Sequence, residues 1–223
     1  MLNSIKGKLV VSCQALQNEP LYGGDTMLKM AKAAIEGGGV AIRTNGGHNT
    51  KIIKNELDVP VIGLVKKEYP NTEVYITPTP TEVDEVCAAG CDMVALEATD
   101  RSRFFPLKEL VEYTRQHYPK VKLLADISTY EEALTAQELG FDAIAITMSG
   151  YTEASKNRPS PDFDLLDVLI KEMNVPVIAE GNFNTPELAR KAMRMGAHCV
   201  IVGSAISRPQ LITKTFSEAI LDV

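Results

Sequence analysis

PVIAEGNFNTPELARKAMRMGAHCVIVGSAISRP, residues 176–209, is the stretch that decides how this chain folds. Residues 177–179 form an apolar run that ends at a charge, Glu180, and Gly181-Asn182 follow as a turn. Thr185-Pro186-Glu187 then opens a helix, with Thr185 suited to the N-cap and Pro186 to the first helical position. The helix reaches Met195 and stops at Gly196. A second apolar run, 199–202, ends in Gly203-Ser204, and another helix begins near Ser207-Arg208-Pro209. Strand ends that pass through a Gly turn into a helix bind anions, because free backbone N–H groups and the helix dipole both favour negative charge there. A single Gly turn is ordinarily only a tight turn. Two of them side by side at the end of a parallel sheet have the layout of the phosphate site of a (β/α)8 barrel, built by the loops after its last two strands. Arg208 adds a guanidinium one short turn further on.

Outward from that stretch, the same unit repeats. Strand-like runs lie at 9–13, 40–43, 61–65, 93–96, 122–125, 143–146, 177–179 and 199–202. Helical patterns lie at 25–36, 50–57, 81–89, 107–117, 129–139, 163–173, 185–195 and 209–221. Several helices end in a Gly before the next strand, at Gly37, Gly90, Gly140 and Gly196, as a left-handed C-terminal cap requires. Strict alternation of this kind argues for a parallel sheet of βα units. Eight units in this length predict a single TIM-barrel domain over 1–223; a flavodoxin-like sheet would need fewer. The run 74–76 follows the third strand too closely for a crossover helix and reads as a short extension.

Composition narrows the function. A hydrophobic fraction of 45% over 223 residues supplies a sizeable core. Net charge is −6 with no cluster of Lys and Arg, which argues against a nucleic-acid partner. No apolar run approaches the roughly 20 residues that cross a bilayer, and MLNSIKGKLVVS lacks the apolar core of a signal peptide, so the cytoplasm is expected. Cys13, Cys87, Cys91 and Cys199 lack metal-ligand spacing and are expected as reduced, mostly buried thiols.

In a barrel of this type, chemistry collects at the carboxyl ends of the strands. Those ends are Gln14, Arg43, Lys66, Glu97, Asp126, Thr147, Glu180 and Gly203-Ser204. Any one alone would be an ordinary solvated residue; together they predict one polar-lined mouth. Lys66, Asp126, Arg43 and Glu180 stand out, since a charge buried at a strand end needs a partner or a ligand. His48 reads as a loop residue, His117 as a helix-end cation and His198 as lying on the far side of the barrel. Lys67 should point away from Lys66. The turn-rich segment 151–162 is placed either to close over a ligand or to act as a passive connector.

VSCQALQNEPLY at 11–22, AIRTNGG at 41–47, VIGLVKKEY at 61–69, ITPT at 76–79, ADISTYEEA at 125–133, GFDAIAITMSGYT at 140–152, VIAEGN at 177–182 and VGSAISRPQLITKTF at 202–216 together resemble the N-acylglucosamine-6-phosphate 2-epimerase family. The resemblance spans nearly the whole chain. It implies a bacterial isomerase of sialic acid use that interconverts N-acetylmannosamine 6-phosphate and N-acetylglucosamine 6-phosphate. It assigns Lys66 as the group that takes and returns the proton and Glu180 as its partner. It sets Arg43 against the sugar oxygens or O1, and Gln14 and Asp126 as hydrogen-bond partners of the sugar and its N-acetyl group. Gly181, Asn182, Gly203, Ser204 and Arg208 would hold the phosphate. It also implies a homodimer, in some members with exchange of the terminal helix. The apolar stripe Leu211, Ile212, Phe216, Ala219 and Ile220 of that helix by itself suits packing on the barrel. Four places depart from the family pattern: Ser204 where a second Gly is usual, Ser207 for Thr, Glu97 for Asp, and the segment 22–26.

The chemistry follows from that substrate. The C2 hydrogen lies α to the aldehyde of the open-chain sugar, so its removal gives an enediol-like intermediate, and its return to the opposite face inverts C2. No redox change is involved, and no cofactor or metal is expected. Lys66 must be neutral to act as a base, against an ordinary lysine pKa of about 10.4. Burial and the Arg43 charge pull it down while Glu180 pulls it up, and a net downward shift is expected. Three other assignments fit the same residues: Lys66 as a phosphate anchor with Glu180 as the base, Lys66 as the Schiff-base amine of an aldol lyase, and a sugar-phosphate-binding protein without activity.

Overall fold

The computed structural model describes residues 1–221. Eight parallel strands close on themselves in sequence order: β1 (Leu9–Cys13), β2 (Ala41–Asn45), β3 (Val61–Leu64), β4 (Met93–Glu97), β5 (Lys122–Asp126), β6 (Ala143–Ala145), β7 (Val177–Glu180) and β8 (Val200–Val202). β1 pairs with β8 through Leu9↔Val200, Val10↔Ile201 and Val11↔Val202, so no strand edge is left open. This is the TIM barrel that the alternating pattern predicts. Alternate residues of each strand face inward, and Val10, Ile62, Leu64, Met93, Leu124, Ile178 and Ile201 fill the barrel interior. Their neighbours, such as Val11, Val94, Leu123 and Ile144, face the helices. Both faces are covered, which is why the strands read as unbroken apolar runs.

The strands differ from the sequence reading chiefly at their carboxyl ends. β2, β4, β5 and β7 continue through polar residues, with Glu97↔Asp126 and Glu180↔Ile201 still in register. A charge marks the end of an apolar run in sequence, yet the ladder persists as long as partners exist across the mouth.

Between the strands run α2 (Thr26–Glu36), α3 (Gly47–Glu56), α4 (Pro80–Ala88), α5 (Leu107–His117), α6 (Tyr130–Glu138), α7 (Phe163–Glu172) and α8 (Pro186–Met195). Thr185 caps α8 by accepting from the Leu188 N–H at 3.3 Å, and Gly196 ends it with φ 107°. α3 starts three residues earlier than the apolar pattern indicates, so His48 lies on a helix rather than in a loop. Residues 74–76 form no ninth strand; a single antiparallel bridge, Lys66↔Ile76, ties them to the end of β3. All four cysteines are free and buried.

Three short or terminal helices complete the chain. α1 (Leu2–Ile5), not expected from sequence, stoppers the amino end of the barrel with Ile5 fully buried and Met1 and Leu2 packed on the interior cluster. α9 (Ser204–Ser207) follows β8 directly and leads into α10 (Pro209–Leu221). α10 corrects an expectation: its apolar stripe does not face the barrel. Not one of its residues is buried, and Phe216 and Ile220 are 69% and 71% exposed. An apolar groove of about 410 Å³, lined by Leu9, Pro186, Ala189, Met193, Val200 and Ile206, lies open between α8 and the barrel wall.

Candidate active site

The carboxyl ends of the strands enclose a cavity of about 220 Å³. Gln14 follows β1, Arg43 lies on β2, Lys66 follows β3, Glu180 ends β7, and Gly203 and Ser204 follow β8. All of them line this one cavity, together with Gly181, Asn182 and Arg208.

Arg43 is the centre of the site. It is 1% exposed, and its guanidinium spans two carboxylates. Nη1 donates to Asp126 Oδ1 at 3.0 Å and Nη2 to Asp126 Oδ2 at 2.6 Å, while Nη1 also donates to Glu180 Oε2. Thr147 adds a third hydrogen bond to Asp126, from its hydroxyl to Oδ1 at 2.7 Å. Asp126 is therefore fully buried beneath Arg43 with its oxygens engaged, and it does not line the cavity. Its geometry suits holding Arg43 in place rather than touching the sugar. Two buried polar atoms at the cavity wall have no partner among the described residues: Arg43 Nε and Gln14 Oε1. The Gln14 amide nitrogen donates to Ser12 Oγ at 2.8 Å, which leaves its carbonyl for a ligand. Buried polar atoms ordinarily find partners, so this donor and acceptor are suited to a polar ligand in the cavity.

One guanidinium cannot neutralise two buried carboxylates. Burial pushes Glu180 up to about 7, and the nearby Asp126 charge pushes the same way against the pull of Arg43. Arg43 itself is raised: the two carboxylates outweigh the burial that opposes its charge. Burial brings Lys66 down to about 8, helped by the Arg43 and Arg208 charges and opposed by Glu180 and Asp126. The net shift of the lysine is thus downward. Its backbone is pinned, with the Lys66 N–H donating to Asn45 Oδ1 at 2.9 Å, and the neighbouring Lys67 is exposed.

Glu97 lies outside the cavity and has a different task. It is 1% exposed and accepts from the Tyr75 N–H at 3.0 Å, the Ile76 N–H at 3.3 Å, the Thr99 hydroxyl at 2.7 Å and Arg101 Nε at 3.0 Å. Arg101 also lies 5.5 Å from the centre of the Tyr75 ring. The carboxylate so fixes the segment whose Tyr75 and Ile76 wall the cavity beside Lys66. Tyr75, Ile76 and Met148 are cavity residues that the strand-end pattern misses, because each lies past the strand in a loop. Tyr151, in the long loop after β6, also reaches the mouth, where its hydroxyl lies 3.3 Å from Asn182 Oδ1.

The five phosphate candidates all line the cavity. Gly181 has φ 109°, and a Cβ there would sit 3.3 Å from the Ile146 carbonyl oxygen. A Cβ on Gly203 would sit 3.3 Å from that of Ser12. Gly181 thus lets backbone approach backbone beside the cavity, and Gly203 makes room for the Ser12 side chain. Ser207 ties the turn to β1, donating to the Ser12 carbonyl at 2.6 Å. His48 and His198 lie elsewhere, against the carbonyls of Gly24 and Leu2. Among the described residues, no group of three or more His, Cys, Asp or Glu is placed to hold a metal ion.

Residues 27–222 match the family model described as "Putative N-acetylmannosamine-6-phosphate epimerase". Relatives described in the same terms, as 2-epimerases, come from Clostridioides difficile and Shouchella clausii. The first is 50% identical over 222 residues, 99% of each chain. The second is 50% identical over 223 residues, 99% of this chain and 98% of the relative. The solved N-acetylmannosamine-6-phosphate 2-epimerase from Clostridium perfringens superposes with a TM-score of 0.94 at 47% identity, covering 98% of this chain and 96% of that one. A thiamine phosphate pyrophosphorylase from Pyrococcus furiosus, 20% identical with a TM-score of 0.63, shares the barrel alone. On the full-length match and on the family model, this chain belongs to the N-acetylmannosamine-6-phosphate 2-epimerase family.

Proposed function

We propose that this protein interconverts N-acetylmannosamine 6-phosphate and N-acetylglucosamine 6-phosphate by exchanging the C2 proton between Lys66 and Glu180. One observation carries the mechanism. β3 and β7 stand four places apart in a closed ring of eight, and Lys66 and Glu180, carried by them, both line the cavity together with Arg43, a layout that suits action on opposite faces of a bound sugar. Inversion at carbon needs a proton taken from one face and supplied to the other.

In one direction neutral Lys66 takes the C2 proton. The C–H electron pair forms the C1–C2 double bond, and the carbonyl π pair moves onto O1. The unpartnered Arg43 Nε–H is suited to meet that developing charge. Protonated Glu180 then delivers its proton to the opposite face of C2 as the carbonyl re-forms. The reverse direction starts from ionised Glu180 and protonated Lys66. Values near 7 and 8 let either group serve as acid or base near neutral pH. Gly181, Asn182, Gly203, Ser204 and Arg208 hold the phosphate, so binding energy remote from C2 orients the reacting carbon.

The test is proton NMR of each epimer with enzyme in heavy water, following C2. Lys66→Ala and Glu180→Gln should each slow inversion by about 10²–10⁴-fold. Each should still wash deuterium into the one epimer whose proton faces the surviving group. Equal loss of exchange for both epimers in both variants would exclude a two-sided mechanism. A borohydride-trapped adduct on Lys66 would replace it with Schiff-base chemistry.

A cytoplasmic homodimer belongs with this function. Among the described residues no helix is long and apolar enough to cross a membrane. α10 exposes Leu211, Phe216, Ile220 and Leu221, and the apolar groove beside α8 lies open in a single chain. Each would be covered by a second copy, a state that sedimentation analysis reads directly.

A further inference from the structure

The arginine beside the phosphate turns is not free to swing. Arg208 Nε lies 3.0 Å from Glu19 Oε1, and Nη2 donates to Glu19 Oε2 at 3.2 Å. This is a side-on, two-point pairing that fixes the plane of the guanidinium. It uses one edge only. The remaining nitrogen, Nη1, is 3.5 Å from Ser204 Oγ, at the cavity wall that both residues line.

Glu19 is itself held. Its Oε2 accepts from the Leu16 N–H at 2.7 Å, and its own N–H donates to the Leu16 carbonyl at 2.9 Å, closing a tight turn after β1. Gln210, in the first turn of α10, donates to Glu19 Oε1 at 3.2 Å. The Glu19 and Arg208 side chains are 17% and 22% exposed, so this pair differs from a loose surface bridge.

We propose that Glu19 is a positioning residue: it clamps the Nε–Nη2 edge of Arg208 and presents Nη1 to the phosphate of the substrate. This rests on the reading of the β7 and β8 turns as the phosphate site. A long, flexible side chain must be ordered before it can bind an anion, and a carboxylate built into a turn does that ordering in advance. Glu19 also carries a negative charge near an incoming dianion. Its four donors, two from Arg208 and one each from Leu16 and Gln210, offset that charge.

The experiment compares Glu19→Gln with the unaltered protein in two assays. Calorimetric binding of inorganic phosphate needs no turnover; steady-state kinetics use N-acetylmannosamine 6-phosphate and the same sugar without phosphate. Glu19→Gln should raise both the phosphate Kd and the KM of the phosphorylated sugar about tenfold, with kcat within about twofold. Turnover of the unphosphorylated sugar should be unchanged. Glu19→Asp, too short to grip both nitrogens, should show the same split if Glu19→Gln fails to fold. In an Arg208→Gln background, Glu19→Gln should add nothing.

Tighter phosphate binding by Glu19→Gln would overturn the proposal, since Glu19 would then be a latch that competes for Arg208. Equal losses on both sugars, or a further loss in the Arg208→Gln background, would overturn it too, leaving a structural role. A phosphate Kd that responds as stated in a protein that epimerises nothing would sink the proposed function and leave the clamp standing.

Discussion

At the scale of single residues, the site is governed by a charge imbalance. Arg43 faces Asp126 and Glu180 together, and with burial this keeps Glu180 near 7 while Lys66 sits near 8. In the proposed mechanism the productive form carries, in either direction, one proton shared between the two groups. Above about 8 that proton is lost, and below about 7 a second one binds. The kcat/KM profile should therefore be a bell with its maximum between about 7 and about 8, for both epimers, as a pH series on each substrate will read. Asp126→Asn removes the charge that helps raise Glu180 and frees Arg43 to pair with it alone. The acid limb of the bell should then move to lower pH. The same change breaks a buried ion pair and should cost about 3–5 kcal/mol of stability in denaturant titrations. A variant with an unmoved acid limb would show that Asp126 acts on the sugar and not through Arg43.

At the scale of elements, the segment after β3 matters more than its length suggests. It is held by the Lys66↔Ile76 bridge, by the Thr77 N–H donating to the Val65 carbonyl at 2.7 Å, and by Glu97. Glu97→Gln removes the charge that pairs with Arg101 and turns one acceptor into a donor facing backbone N–H groups. A loss of about 1–3 kcal/mol is expected. As the Tyr75 wall loosens and water reaches Lys66, the basic limb of the pH profile should rise toward the ordinary lysine value. Chemical denaturation and the pH series measure the two effects. Stability lost with no movement of the basic limb would make Glu97 a purely structural residue.

At the scale of the whole molecule, the barrel closes its sheet but not its outer layer. In a (β/α)8 fold the last helix ordinarily packs beside the first, yet α10 buries none of its residues and the groove beside α8 is vacant of side chains. Exposed apolar area of this kind is stabilised by association. The unaltered protein should sediment as a dimer, and the protein carrying Phe216→Asp with Ile220→Asp as a monomer whose far-UV dichroism is unchanged. A dimer that survives both substitutions would place its interface elsewhere.

Much of this was legible in the order of residues alone. The eightfold alternation, the glycine caps such as Gly196 and the polar strand ends are local signals, since helix period, strand period and left-handed turns are each written within a few residues. Lys66, Arg43 and Glu180 could be set on one mouth from topology, because every parallel strand of a barrel ends on the same face. Tertiary structure alone decided what lies over what: Asp126 sunk beneath Arg43, Tyr75 brought to the cavity by Glu97, Glu19 gripping Arg208 across almost the whole chain, and α10 standing away from its own barrel. Each of those depends on a partner distant in sequence. A side chain's hydration, charge and exposure are set by whichever partner the fold delivers, and no local pattern encodes that.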